Sequence, residues 1–272
     1  MMHVLLVFIS VVLLGFPAEY LKAQDYIDFI KKGDEYYREF NSFRALKEYE
    51  KAYKIAPDNY EVLLRLTRVY NDVGEDIQGI WFDDKKKVTT EVAKKYFEKA
   101  TWFASLLHNR FPDKAEPYFL LALSYGHLAL FKGGREKVKL AKDIEQNCLK
   151  AIELDPNFIP AYIALGVYYR EVAGLNWFLK SFARSLTNGS LNGTYRDSER
   201  VLLKALELNP SIIRTHFELA KTYKALGKED KVIYHLKKVL ELPIVDHQDK
   251  VIKSEAGSNL NRLLAKKYKK VE

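Results

Sequence analysis

Cysteine is almost missing from this chain: of 272 residues, only Cys148 carries a thiol. One thiol cannot close an internal disulfide, and it excludes both a CxxC redox pair and a zinc site built on cysteines. Histidine is nearly as sparse, with six residues, none of them in HExxH or a comparable metal-ligand spacing. A general base needs a partner and a pocket that such scattered histidines do not announce. The chain therefore reads as a non-enzyme with no resident cofactor or metal. Gly133-Gly134-Arg135-Glu136-Lys137 lacks the GxxxxGK[ST] frame of a phosphate loop and reads as a turn. Long apolar runs are absent apart from the 13 residues from Val4 to Phe16. That run is shorter than the roughly 20 residues a membrane-spanning helix requires. It is followed by Pro17 and a more polar stretch that places Leu21 and Ala23 at the −3 and −1 positions of a cut before Gln24. Residues 1–23 are thus expected to be a signal peptide and 24–272 the mature domain of a secreted or periplasmic protein. The run has no preceding Lys or Arg, which leaves a retained N-terminal membrane anchor as the alternative.

What is present is ordinary for a folded protein: 48% apolar and 29% charged residues, enough to bury a core. The net charge of +8 suits an acidic partner. No nucleic-acid-binding fold or motif accompanies it, so nucleic acid is not the expected partner.

Beyond Gln24 a helical pattern repeats. Phe29, Gly33, Tyr36, Ala45, Tyr49, Ala52 and Pro57 form the first unit. Leu63, Leu66, Tyr70, Ala93, Phe97 and Ala100 form the second, and Tyr118, Leu121, Ala122, Tyr125, Ile144, Cys148 and Ala151 the third. Tyr162, Leu165, Gly166, Tyr169, Ser198, Leu202 and Ala205 make the fourth; His216, Leu219, Ala220, Tyr223, Val232, Leu236 and Val239 make the fifth. Small residues at fixed positions let two helices approach, and large ones fill the gaps between them. This pattern resembles the tetratricopeptide repeat. The expected architecture is all-α: an α-solenoid of about five helical hairpins, closed by a capping helix from about Asp246 to Tyr268. Cys148 takes a packing position and reads as a buried thiol. His216, at the repeat's Trp position, reads as a packed interface residue.

The step from the Tyr position to the second helix is nine residues in units one (36 to 45) and five (223 to 232). It is 23, 19 and 29 residues in units two, three and four, from Tyr70 to Ala93, Tyr125 to Ile144 and Tyr169 to Ser198. Three insertions are therefore expected at the turns inside hairpins, which in solenoids map to one edge. Two of them carry exposed aromatic candidates for partner anchoring, Trp81 and Trp177.

The run from Gly166 to Trp177, then Lys180, Ala183, Thr194-Tyr195, the segment from Lys204 to Pro210, Lys221-Thr222-Tyr223, Leu242-Pro243 and Asp249 resembles the regulator of microtubule dynamics family in order and spacing. The resemblance spans roughly residues 90–265 and implies a helical solenoid with an elaborated hairpin. Microtubule association is not carried over, because a signal sequence would remove the chain from cytosolic microtubules. In architecture alone the chain is also similar to the periplasmic T-component of TRAP transporters, which implies a ligand-capturing partner.

Tetratricopeptide geometry implies that certain first-helix positions line the concave face. Here these give Arg38, Arg68, Asn71, Phe119, His127, Arg170, Phe217, Lys221 and Lys224, a basic groove with apolar anchors. The carboxylate clamp of chaperone-binding relatives is not reproduced. The expected function is a non-enzymatic scaffold that binds a protein or peptide, acidic in character. The alternative is a carrier or transporter accessory whose insertions enclose a small hydrophobic ligand.

Overall fold

The computed structural model describes residues 18–79, 86–176, 180–181, 183, 185 and 191–268. Among them it holds eleven α-helices and no strand. The helices are α1 (Ala18–Arg38), α2 (Ser42–Ile55), α3 (Tyr60–Gly79), α4 (Lys86–Arg110), α5 (Ala115–Ala129) and α6 (Gly134–Leu154). They continue with α7 (Ile159–Gly174), α8 (Tyr195–Leu208), α9 (Ile213–Ala225), α10 (Glu229–Glu241) and α11 (Asp249–Tyr268). Consecutive helices pair into five hairpins, from α1 with α2 to α9 with α10, and α11 covers the last against α9 and α10. The first helices of successive hairpins also touch, α3 with α5, α5 with α7 and α7 with α9. This stacking is the expected α-solenoid with its C-terminal cap. No described helix is long and apolar enough to cross a membrane.

Much of the first two insertions is helix among the described residues. They lengthen helices: α3 runs on to Gly79, α4 already begins at Lys86, and α6 begins at Gly134 and extends over 21 residues. Helix continues wherever each added residue gains a backbone hydrogen bond and no proline intervenes.

Three helix starts, those of α2, α3 and α8, are capped by short polar side chains. The Asn41 side chain accepts from the Arg44 amide, and Asn59 accepts from the amides of Glu61 and Val62. Thr194 and Asp197 cap each other's backbone at the start of α8. A second device recurs at the proline turns. The hydroxyls of Tyr118 and Tyr162 donate to the carbonyls of Pro112 and Pro156, each at 3.0 Å. His216 makes the same contact from Nε2 to the Pro210 carbonyl at 2.9 Å. All three span six residues, so His216 serves the fold as a ring donor where other units use Tyr.

In the first, second and fourth hairpins a glycine faces a large residue. A Cβ added at Gly33 would lie 2.3 Å from the Tyr49 ring, and one at Gly166 would lie 2.5 Å from Leu202. In the third hairpin the volumes are traded: Ala122 replaces the glycine and the smaller Cys148 lies in the same buried cluster. At Gly166 the obstacle is the Leu202 side chain rather than the facing backbone, and the Gly166 carbonyl accepts from Ser198 Oγ at 2.7 Å. Gly166→Leu should therefore destabilise the chain by about 1–3 kcal/mol or more. A thermal melt matching wild type would refute this seam.

Candidate functional site

The solenoid's inner side is crossed by its own C-terminal segment. In the turn before α11, the Asp249 carboxylate accepts from the backbone amides of Val245 and Asp246 at 2.9 and 2.8 Å. That turn presents His247 to α3, where its Nε2 lies 2.8 Å from Asp76 Oδ1 and its Nδ1 lies 4.0 Å from Asp72 Oδ1. The bond joins residues 171 apart in sequence. One turn further on, the Lys250 ammonium sits over the Phe40 ring at 5.5 Å from its centroid. Phe40 has φ 59, the left-handed region that a bulky side chain adopts only at a cost of about 1–2 kcal/mol. The equivalent turn position in the fifth hairpin is Gly227, with φ 69. Phe40 thus stands where glycine fits best, and its ring meets the returning segment.

The charges beneath this turn are largely shielded from water, and most of them are paired. His127 Nε2 lies 3.0 Å from Glu75 Oε1, and its ring stacks on Phe97 at 4.5 Å between centroids. Burial drives the Glu75 carboxyl upward, but the bond to His127 and the charges of His127, Arg214 and His247 outweigh it and hold it at about 2. Asp72 follows its burial instead and is raised to about 7, with the His247 charge opposing. Burial lowers His247, yet the Asp76 bond and the Asp72 and Asp76 carboxylates raise it to about 9. Two repeats on, Arg170 Nη1 donates to Glu218 Oε2 at 2.5 Å, with both side chains under 10% exposed. Glu218 is pushed up by burial and brought below its ordinary range by Arg170, Lys221 and Arg214.

The nine residues expected to line a basic groove divide accordingly. Asn71 is buried, donating to the Ser124 hydroxyl and the Thr67 carbonyl. Arg170 and Phe217 are also buried, and His127 is engaged by Glu75. Phe119 is half-buried beside Phe158. Arg170 is therefore part of an interior ion pair, and removing one partner of such a pair costs about 3–5 kcal/mol. Substituting it reports on folding before it reports on binding. Lys221 reaches Glu218 at 3.6 Å and the Phe217 ring at 5.2 Å, while Lys224 is exposed. Arg38 and Arg68, both exposed, share a concavity of about 390 Å³ with Tyr37, Leu64 and Arg65. There Arg65 is committed to Asp34 and Glu61, and Arg38 donates from Nε to the Asp34 carbonyl. Arg68 makes no hydrogen bond or ion pair among the described residues. Trp81 and Trp177 lie outside the described residues.

The second concavity is lined by Arg196, Glu199, Arg200, Lys204 and Glu207 with a few apolar neighbours. Both being charged, neither supports an enclosed hydrophobic ligand chamber. Cys148 is fully buried, and burial pushes its thiol up to about 12, which makes it unreactive.

The inner cluster of Asp72, Glu75, Asp76 and His247 was not visible in the sequence. Asp72, Glu75 and Asp76 read as ordinary helix charges, and only the return of a distant turn gives them a histidine.

A family model described as "Regulator of microtubule dynamics protein 1-3" matches residues 26–267. Regulator of microtubule dynamics protein 3 of Bos taurus is 28% identical over 198 residues, covering 72% of this chain and 40% of that protein. Protein 1 of Mus musculus is 26% identical over 212 residues, covering 78% and 66%. The chain thus spans about 40% of the length of the protein 3 relative. A thermophilic tetratricopeptide-repeat protein of Thermus thermophilus superposes with a TM-score of 0.62 at 19% identity, covering 85% of this chain and 98% of that one, which shows a common fold.

The buried pair His216 and His235 gives a pH prediction. Their Nδ1 atoms lie 2.9 Å apart, and His216 Nε2 must carry its proton to bond the Pro210 carbonyl. His216 Nδ1 is then an acceptor and His235 Nδ1 the donor, so the neutral pair fits and a protonated pair does not. Burial and the neighbouring His216 lower His235 to about 4. The unfolded chain takes up a proton near pH 6.5 that the folded chain refuses. The pair's contribution to stability should be fully present above about pH 6.5 and decline toward pH 4. His235→Phe should narrow the difference in Tm between pH 7 and pH 5, and an unchanged difference would reject the pair as its source.

Proposed function

The chain belongs to the regulator of microtubule dynamics protein 1-3 family, and from that premise we propose that it is a non-enzymatic scaffold binding a protein or peptide partner. The supporting observation is the concavity between α1 and α3. Arg38 and Arg68 stand exposed there beside Tyr37 and Leu64, while Arg65 is already neutralised by Asp34 and Glu61. Two exposed guanidinium groups next to an aromatic wall suit a carboxylate-bearing segment, because their forked donors match a carboxylate and their planes stack on rings. The partner in this reading is an acidic peptide. At the far end of the inner face, Lys221 and Lys224 extend the same sign of charge.

The reading narrows the groove. Arg170, His127 and Asn71 serve the interior, and contact with the partner falls to Arg38 and Arg68. Export to the periplasm or beyond the cell belongs to the same proposal, supported by the apolar run from Val4 to Phe16.

The test is affinity capture with Arg38→Glu combined with Arg68→Glu. Loss of two charge-assisted contacts of about 1 kcal/mol or more should weaken salt-sensitive partner capture at least about tenfold. The melting temperature should stay at the wild-type value, since neither side chain is buried. Equal capture by the variant and wild type would dismiss this concavity as the binding site.

A further inference from the structure

We propose that Asp72, Glu75 and His247 form a site for one divalent metal ion of the zinc class, which fastens the segment before α11 to α3. One ligand atom from each of the three residues lies within 4.8 Å of the others. Asp72 and Glu75 are three residues apart on α3 and so share a helix face. His247 arrives from the opposite end of the chain. An imidazole nitrogen with two carboxylate oxygens is a donor set that zinc accepts, with three protein ligands and one open position.

The surroundings are those of an oriented metal-binding histidine. Asp76 holds Nε2 of His247 at 2.8 Å, which leaves Nδ1 facing Asp72 Oδ1 at 4.0 Å. A carboxylate on one ring nitrogen, with the other nitrogen turned to the ion, is the usual second layer around such a ligand. Glu75 is braced in turn by His127 at 3.0 Å. Asp72 is buried on α3 with the Tyr37 hydroxyl acting on its carboxylate, and its Oδ2 makes no direct hydrogen bond among the described residues. A buried polar atom in that state calls for a partner, and an ion is one. Around zinc, with bonds of about 2.0–2.1 Å, tetrahedral ligand atoms lie about 3.3 Å apart. Closing the remaining gap of at most about 1.5 Å between ligand atoms, shared among the side chains, would draw this set together.

Nothing in the linear sequence announces the site, because its histidine lies far from its carboxylates. The competing arrangement has His247 simply caged by Asp72 and Asp76 with no ion, and it too would hold the segment.

Tag-free chain stripped with EDTA and titrated with zinc chloride separates the two. The proposal predicts one zinc per chain by calorimetry and elemental analysis, and a melting temperature that rises with zinc and falls back with EDTA. Asp72→Asn keeps the shape of the side chain and leaves the Asp76 contact intact, and it should abolish that binding while far-UV circular dichroism remains that of wild type. Asp76→Asn should weaken it by about 10–100-fold. No zinc bound by the stripped wild type, or wild-type binding retained by Asp72→Asn or by His247→Ala, would overturn the proposal.

Discussion

Carboxylates withdrawn from water must be paired, and that requirement organises the interior of this solenoid. Asp72 and Glu75 on α3 lie beneath the returning C-terminal segment, and Glu218 on α9 is buried against Arg170. Their partners come from other hairpins: His127 from α5, Arg170 from α7, His247 from the turn before α11. These contacts tie hairpins together in three dimensions, whereas hairpin packing alone ties only neighbours in sequence. The left-handed Phe40 belongs to the same closure, since its ring is met by Lys250.

The outer frame has a different origin. Hairpins form because glycine or alanine on one helix faces a bulky residue on the next, as Gly33 faces Tyr49 and Gly166 faces Leu202. At three proline turns, those before α5, α7 and α9, a Tyr or His side chain bonds back to the proline carbonyl. Both features repeat at fixed spacing, and so they were legible in the sequence. Helical periodicity also gave the capping helix, which begins at Asp249 against an expected start near Asp246.

The rest was hidden for a physical reason. Periodicity reveals which face of a helix is apolar, but not which charge on one helix meets which on another. Arg170 and Glu218 are 48 residues apart and His247 and Asp76 are 171 apart, so no local spacing marks either pair. Residues read as a continuous basic groove therefore split into interior partners and exposed cations. The insertions misled in another way: spacing shows that residues were added, while helix extension or loop depends on whether the added backbone keeps its hydrogen bonds. An inner face satisfied by its own side chains leaves fewer unpaired charges than an open trough would.

The central claim is that the turn carrying His247 is docked on α3. Spin labels on cysteines introduced at the exposed positions Glu39 and Glu255, with buried Cys148 left in place, measure that docking by double electron–electron resonance. The structure predicts one short, narrow distance, which broadens and lengthens when Asp76 is replaced by Asn. A long or broad distribution in the otherwise native chain would show an open solenoid and contradict the account.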